Sequence, residues 1–202
     1  MPKRPAAPTG VRFTVSVLDA NAHLFAVTLV IEQPAKNQRV SLPVWIPGSY
    51  LVREFSQHLQ DLQAWQDGQP VDIQQIDKHQ WQADTAAGHP LELQYAVYAF
   101  DASVRTAFLD STRGFFNATS LCLRVTGQEN LPHALEITAG DSTAGWNVVT
   151  GLPAHSVDAA GFGHYRAADY DELADCPVEM GRFWNGQFTA GGVEHRLSLI
   201  HI

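Results

Sequence analysis

Hydrophobic and polar residues alternate along most of residues 11–167. The stretch VRFTVSVL puts every second residue from Val11 to Val17 on one face, and HLFAVTLVI repeats the pattern from Phe25 to Ile31. Because successive side chains of a strand point to opposite faces, this period of two predicts strands that bury one face. No stretch of useful length has the period of an amphipathic helix.

Further alternating runs predict strands at Val40–Ile46, Leu91–Tyr98, Ser120–Val125 and Ala134–Thr138. Turn residues separate the runs, and Asp67-Gly68 is the strongest hairpin signal. About ten runs at this spacing are typical of a sandwich. We therefore expect an all-β fold, with an antiparallel, β-sandwich-like domain over residues 11–167 that follows a flexible tail at residues 1–10.

The pattern changes at AADYDELADCPVEMG. Asp169 can cap a short helix, Glu172 three residues later completes a capping box, and Pro177 ends the helix within two turns. We expect residues 168–182 to form a linker with a short helix. Residues 183–196 are then the first strand of a second domain that is missing from the sequence.

Composition excludes several classes of protein. Lys and Arg total 13 against 21 Asp and Glu, so the formal charge is −8 and no basic surface is available for nucleic acid or an anionic membrane. No apolar stretch has the length of a membrane span or the form of a signal peptide. Cys122 and Cys176 are expected to be free thiols of a reducing compartment, which predicts a cytoplasmic protein.

A search for catalytic motifs finds none. The nine histidines include no H-E-x-x-H pair, and the two cysteines form no C-x-x-C arrangement. We therefore expect no metal site and no catalytic residues in this chain. Asp101 and Asp110 flank Arg105, which favours an ion pair that holds a loop over a pair of catalytic carboxylates.

Two stretches, LPVWIPGSYLVREF and DSTRGFFNATS, are richer in aromatic and turn residues than a plain strand needs. The adjacent Phe115 and Phe116 must point to opposite faces of a strand. One of them can pack in the core, while the other is exposed or lies against another domain. A purely structural role and a role at a domain interface or cleft rim both stay open.

Four segments together resemble the glycyl aminopeptidase family of zinc metallopeptidases. They are LPVWIPGSYLVREFSQHL, DKHQW, YAVYAFDASVRTAFLDSTRGFFNATSL and DYDELADCPVEMGRF, and they occur in this order along nearly the whole chain. The resemblance implies an N-terminal β domain that precedes a thermolysin-like catalytic domain with an H-E-x-x-H motif, often followed by a PDZ-like domain. The zinc and the general base would belong to the missing catalytic domain.

The resemblance also implies a role and two partners, which are the catalytic domain of the same polypeptide and a peptide substrate. An N-terminal domain beside the catalytic cleft can cap one end of it and so restrict cleavage to a free amino terminus. We expect Arg113, Phe115, Phe116, Asn117 and Glu179 at the rim of this cleft, where an acidic or carbonyl group can hold a substrate ammonium.

The end of the chain carries a different signal. Residues Leu197 to Ile202 are what CTGTCTCTTATACACATC encodes, the end sequence of a transposon adaptor used for sequencing libraries. We expect the native sequence to stop near Arg196 and residues 197–202 to be adaptor read-through in a truncated fragment.

Two alternatives stay open. The chain could be a stand-alone β-sandwich module that binds carbohydrate or peptide through exposed tryptophans, and the candidates are Trp45, Trp65, Trp81, Trp146 and Trp184. It could also be a hydrolase that uses two carboxylates converging in a pocket.

Overall fold

The computed structural model describes residues 10–46 and 48–199, which form eighteen strands and two short α-helices. The expected tail at residues 1–10 lies almost wholly outside the described residues, as do residues 200–202. The first nine strands are β1 (Val11–Asp19), β2 (Leu24–Ile31), β3 (Arg39–Ser41), β4 (Leu59–Gln66), β5 (Gln69–Val71), β6 (Ile73–Asp77), β7 (Gln80–Ala83), β8 (Leu91–Tyr98) and β9 (Ala107–Leu109). The others are β10 (Arg113–Phe116), β11 (Arg124–Val125), β12 (His133–Ile137), β13 (Asn147–Thr150), β14 (Ala154–Val157), β15 (Gly163–Ala167), β16 (Val178–Gly181), β17 (Trp184–Ala190) and β18 (Val193–Leu199). The helices are α1 (Ala118–Leu121) and α2 (Tyr170–Asp175), and 3-10 turns lie at Phe55–His58 and Asp141–Thr143.

These strands form an eight-stranded sheet in the order β14-β15-β12-β1-β2-β8-β4-β5, two four-stranded sheets in the orders β13-β16-β10-β9 and β11-β3-β7-β6, and the hairpin β17-β18. All pairings between neighbours are antiparallel except that of β1 with β12. The all-β, mainly antiparallel fold is therefore confirmed.

The alternating pattern predicts the central strands correctly. In β1, Val11 and Phe13 are buried and the intervening residues are more exposed. In β2, Phe25, Val27 and Leu29 are fully buried. Because β1 and β2 pair along their whole length, these side chains form one continuous apolar face.

The four-stranded sheet β13-β16-β10-β9 packs its inner face against this apolar face. The Phe116 ring of β10 meets the Phe25 ring of β2 edge to face, with 5.6 Å between the ring centroids. A Cβ atom at Gly114 would lie only 2.9 Å from Met180 Cγ and 3.1 Å from Phe25 Cζ. Glycine therefore fits at this position, where a side chain would collide with Met180 of the neighbouring strand and with Phe25 of the facing sheet.

The hairpin predicted at Asp67-Gly68 joins β4 to β5. Asp67 has a φ of 52° and Gly68 a φ of 73°. Two consecutive left-handed residues are what a two-residue type I′ turn requires, and Asp-Gly is a preferred pair for it.

Two predicted strands are wrong in part. The strand expected at Val40–Ile46 ends at Ser41, because Leu42 N–H donates the last ladder hydrogen bond and Pro43 has no N–H to continue it. The run Ser120–Val125 begins instead with helix α1 and only its end is a strand. The Ser120 hydroxyl donates to the Asn117 carbonyl, a local bond that stabilises a helical turn at the expense of a ladder.

The segment 168–182 contains the predicted short helix but packs in the core. Asp169 accepts a hydrogen bond from Glu172 N–H, as an N-cap should. Tyr170 and Leu173 of the helix are buried, and so is Met180 in β16, which lies between β13 and β10. The segment differs from an exposed linker because its apolar residues complete the inner face of the four-stranded sheet and the contacts around α1.

Substitution Leu173→Ala tests whether α2 belongs to the core. We expect the free energy of unfolding to fall by about 2–5 kcal/mol, the usual cost of truncating a fully buried leucine. The matched control is Leu131→Ala at a side chain that is 43% exposed, where chemical denaturation should show a much smaller loss. Equal, small losses for both variants would show that the helix is only a linker.

Candidate functional site

The outer face of the sheet β13-β16-β10-β9 carries the candidate site. Strand register places one row of side chains across all four strands on this face. The paired residues are Phe108 with Phe115, Phe115 with Glu179, and Glu179 with Val149. Because side chains alternate along a strand, Arg113 projects from the same face as Phe115, two residues away.

Phe115 and Phe116 take the two positions that their adjacency requires. Phe116 is fully buried in the core against Phe25. Phe115 is half-buried on the outer face, beside Glu179. Of the two rings, only that of Phe115 can therefore contact a ligand on the outer face.

Arg113 and Glu179 form an ion pair on this face. Arg113 Nη1 lies 3.5 Å from Glu179 Oε1, and the side chains are only 22% and 17% exposed. The Arg113 guanidinium also lies over the Phe108 ring, 4.7 Å from its centroid. The pair is thus held in place by an aromatic platform.

Burial raises the pKa of Glu179 to about 7, although the positive charge of Arg113 acts to lower it. The carboxyl group therefore changes charge near neutral pH. A ligand that brings a second positive charge close to Glu179 would favour the ionised form and bind to it.

A groove of about 810 Å³ runs beside this face. Phe115, Glu179 and Asn147 line the side formed by the sheet. Asn185 and Gln187 of the hairpin β17-β18 line the opposite side. A groove of this volume is in the range of sites for small ligands.

Asn117 lies elsewhere and has a structural contact. Its Nδ2 donates to the carbonyls of Val104, at 2.7 Å, and Thr106, at 3.5 Å. Asn117 precedes helix α1 without forming a side-chain cap. It therefore links the start of α1 to the loop before β9, outside the groove.

The turn between β9 and β10 depends on Asp110. Its Oδ1 accepts hydrogen bonds from the backbone N–H groups of Thr112 and Arg113 and from the Thr112 hydroxyl. Burial alone would raise the pKa of Asp110, but these hydrogen bonds outweigh it and lower the pKa. The expected ion pair of Arg105 with Asp101 or Asp110 is not among the salt bridges of the described residues. Asp110 binds backbone donors of its own turn instead.

Sequence reasoning named Arg113, Phe115 and Glu179, which the structure brings together, but it missed Phe108. The Phe108 ring lies under the Arg113 guanidinium, and Phe108 pairs with Phe115 across strands β9 and β10. Only the register of these two strands makes Phe108 a neighbour of Phe115. The signal in the sequence was weak, because Ala107–Leu109 is a strand of only three residues.

Within residues 10–46 and 48–199, no group of three or more His, Cys, Asp or Glu side chains is placed to hold a metal ion. No helix in this part of the chain is long and apolar enough to cross a membrane. The fold is thus an all-β domain with a groove beside the outer face of one sheet.

Comparison with known proteins identifies the family. The model of the Peptidase M61 N-terminal domain matches residues 12–182, so the chain belongs to this family. The match confirms the resemblance to a zinc metallopeptidase N-terminal domain. No curated protein sequence matches the chain significantly.

Solved structures agree with this assignment. An aminopeptidase N family protein from Idiomarina loihiensis is 42% identical with a TM-score of 0.90, over 93% of this chain and 32% of that protein. The M1 zinc metallopeptidase from Deinococcus radiodurans has a TM-score of 0.50 at 10% identity, over 89% of this chain and 43% of that one. Leukotriene A4 hydrolase from Saccharomyces cerevisiae has a TM-score of 0.54 at 12% identity, over 88% and 29%. The last two share the fold alone, and this chain spans less than half the length of each of the three.

Stability as a function of pH tests the environment of Glu179. The pKa of Glu179 in the folded protein is raised above that of an unfolded glutamate. The stability that the neutral carboxyl group contributes is therefore fully present below about pH 4 and is lost as the pH rises through about 7. In Glu179→Gln this loss cannot occur. We expect the difference in unfolding free energy between wild type and variant to change by about 2–3 kcal/mol between pH 4 and pH 8, in favour of the variant at high pH.

Chemical denaturation across this pH range provides the measurement. Glu92→Gln in β8 of the eight-stranded sheet is the matched control, because it also removes one carboxylate. A pH-independent difference between wild type and Glu179→Gln would contradict the assignment.

Proposed function

We propose that this chain is the non-catalytic N-terminal domain of a zinc-dependent aminopeptidase and that it caps the substrate cleft. The observation that carries the proposal is the outer face with Arg113, Phe115 and Glu179 beside a groove. A half-buried carboxyl group next to an aromatic ring suits the amino terminus of a peptide, which offers a positive charge and a short apolar stem.

The hairpin β17-β18 supports a neighbouring domain. Its register puts the apolar side chains on one face and the polar ones on the other. Trp184, Phe188 and Val193 on the apolar face are 59%, 47% and 60% exposed. On the polar face, Asn185 and Gln187 line the groove.

A two-stranded hairpin with one open apolar face is marginally stable on its own. Exposed apolar patches of this kind usually mark a surface that another domain or partner covers. The hairpin follows the region matched by the family model, and the similar solved proteins are longer than this chain. We infer that the open face packs on the catalytic domain and that the hairpin begins that domain.

The catalytic chemistry would belong to that domain. Zinc bound there would polarise the scissile carbonyl and activate a water molecule. The residues of this chain would instead bind and orient the peptide. Glu179 would hold the substrate ammonium, Phe115 would contact the first side chain, and the sheet would close the cleft beyond the amino terminus.

Two thiols support a cytoplasmic location for this enzyme. Cys122 is buried and Cys176 is half-buried, and neither forms a disulfide. Burial raises the pKa of each, so both stay unreactive thiols at neutral pH. Free thiols of this kind are typical of a reducing compartment.

The second candidate is a stand-alone binding module. Trp45 and Trp184 are more than half exposed, which favours it, whereas Trp81 and Trp146 are buried, which opposes it. The exposed Trp45 donates its indole N–H to the Ser49 carbonyl, so its own loop holds the ring. A binding module that uses only exposed tryptophans gives no role to the groove beside Glu179 or to the ion pair of Glu179 with Arg113.

Kinetics of a full-length enzyme that contains this domain test the capping role. We expect Glu179→Gln to raise KM for tripeptides with a free amino terminus about tenfold, equivalent to about 1.4 kcal/mol, and to change kcat less. The reason is that a neutral amide loses the charge that holds the ammonium. Glu92→Gln is the control, and unchanged kinetics in Glu179→Gln would refute the role.

The chain on its own tests the division of labour between domains. We expect residues 1–202 to bind no stoichiometric zinc and to cleave no peptide, because they contain no H-E-x-x-H motif. Metal analysis after dialysis against zinc and a peptide-cleavage assay provide the measurements. One equivalent of tightly bound zinc would contradict the proposal.

A further inference from the structure

A second, smaller cavity lies apart from the groove. It encloses about 100 Å³ between the 3-10 turn Phe55–His58, the end of β8 and the loop before β9. This volume suits a group of a few heavy atoms, since a larger cavity of about 150 Å³ holds benzene. The ligand is therefore smaller than an aromatic side chain.

The walls of this cavity are aromatic. Tyr98 and Phe100 stand on one side and His58 on the other, with the His58 and Tyr98 ring centroids 6.1 Å apart. The Phe100 ring stacks on His23 at 3.9 Å, and His23 Nδ1 donates to the Leu109 carbonyl at 2.6 Å. The Phe100 ring also stacks on Phe108, with 5.4 Å between the ring centroids. Both faces of Phe100 are therefore covered, and only its edge is left for the cavity.

The floor of the cavity offers hydrogen-bond acceptors. The Ser120 hydroxyl donates to the carbonyl of Asn117, at 2.7 Å. The Thr106 hydroxyl donates to the carbonyl of Asp101, at 3.0 Å. Since each hydroxyl has a single hydrogen, both present only lone pairs to a ligand. Such a floor favours a ligand that donates hydrogen bonds or carries positive charge.

Asp101 at the edge of the cavity supplies the negative charge. Its Oδ1 accepts from Ser103 N–H, and the carboxylate takes part in none of the salt bridges among the described residues. Burial lowers the pKa of His58 although Asp101 acts to raise it, so the imidazole is neutral at pH 7. His58 therefore adds no positive charge that would compete with a cation.

The lining residues come from distant parts of the sequence. Phe55 and His58 belong to the segment LPVWIPGSYLVREFSQHL, and Tyr98, Asp101 and Ser120 belong to the segment that ends in GFFNATSL. Both segments carry the family resemblance. The fold thus brings the two longest of these segments together around one small cavity.

We propose that this cavity binds a small organic ammonium group, either the amino terminus of a peptide or the end of a lysine side chain. The Asp101 carboxylate supplies a direct charge interaction, and the Ser120 and Thr106 oxygens can accept hydrogen bonds from the ammonium group. The Tyr98 ring adds a cation–π attraction. The site is independent of the groove beside Glu179, and its ligand is testable on this chain without a catalytic domain.

Titration of residues 1–202 with methylammonium, followed by NMR chemical shifts, tests the site. We expect saturable shifts at Tyr98 and Ser120, whereas methanol, a neutral molecule of similar size, should bind at least fivefold more weakly. Glycinamide and Nα-acetyl-lysine amide then distinguish the two sources of ammonium, and binding of either supports the site.

Two variants and one control complete the experiment. Asp101→Asn and Tyr98→Leu should each weaken methylammonium binding at least fivefold, and both residues are exposed enough for the fold to tolerate the change. Asp84→Asn removes another exposed carboxylate away from the cavity and should leave binding unchanged. The proposal is overturned if binding is not saturable, if methanol binds equally well, or if Asp101→Asn binds like the wild type.

Discussion

The close approach of two sheets at Gly114 is the constraint on which the site depends. No side chain fits there, because Met180 and Phe25 occupy the space that a Cβ atom would need. The inner face of the four-stranded sheet is therefore fixed against β2. Since a shift by one residue would turn every side chain to the opposite face, the same contact determines the outer face. The ion pair of Arg113 with Glu179 follows from this register.

Under the proposed function, a rigid platform of this kind would let a domain without an H-E-x-x-H motif contribute to a peptidase. Burial raises the pKa of Glu179 to about 7. Its carboxyl group pairs with Arg113, which is itself stacked on the Phe108 ring. A preorganised carboxylate costs little to order when a substrate arrives. The amphipathic hairpin offers the apolar surface through which the rest of an enzyme would be aligned with this platform.

Much of the fold could be predicted from the sequence because alternation is a local property. It predicted β1, β2 and β8, as well as the turn at Asp67-Gly68. It failed at Ser120, where a local side-chain hydrogen bond competes with strand pairing. Family resemblance pointed to Phe115 and Glu179, but their pairing joins strands more than 60 residues apart along the chain, and no local pattern specifies such a register. For the same reason neither Phe108 nor the small cavity could be predicted.

The most direct measurement is the genomic DNA sequence downstream of the codon for Arg196. If this domain works beside a zinc catalytic domain, the reading frame continues past that codon and encodes an H-E-x-x-H motif. A genuine stop codon directly after it, in genomic DNA free of adaptor sequence, would contradict the account and would favour a stand-alone binding module.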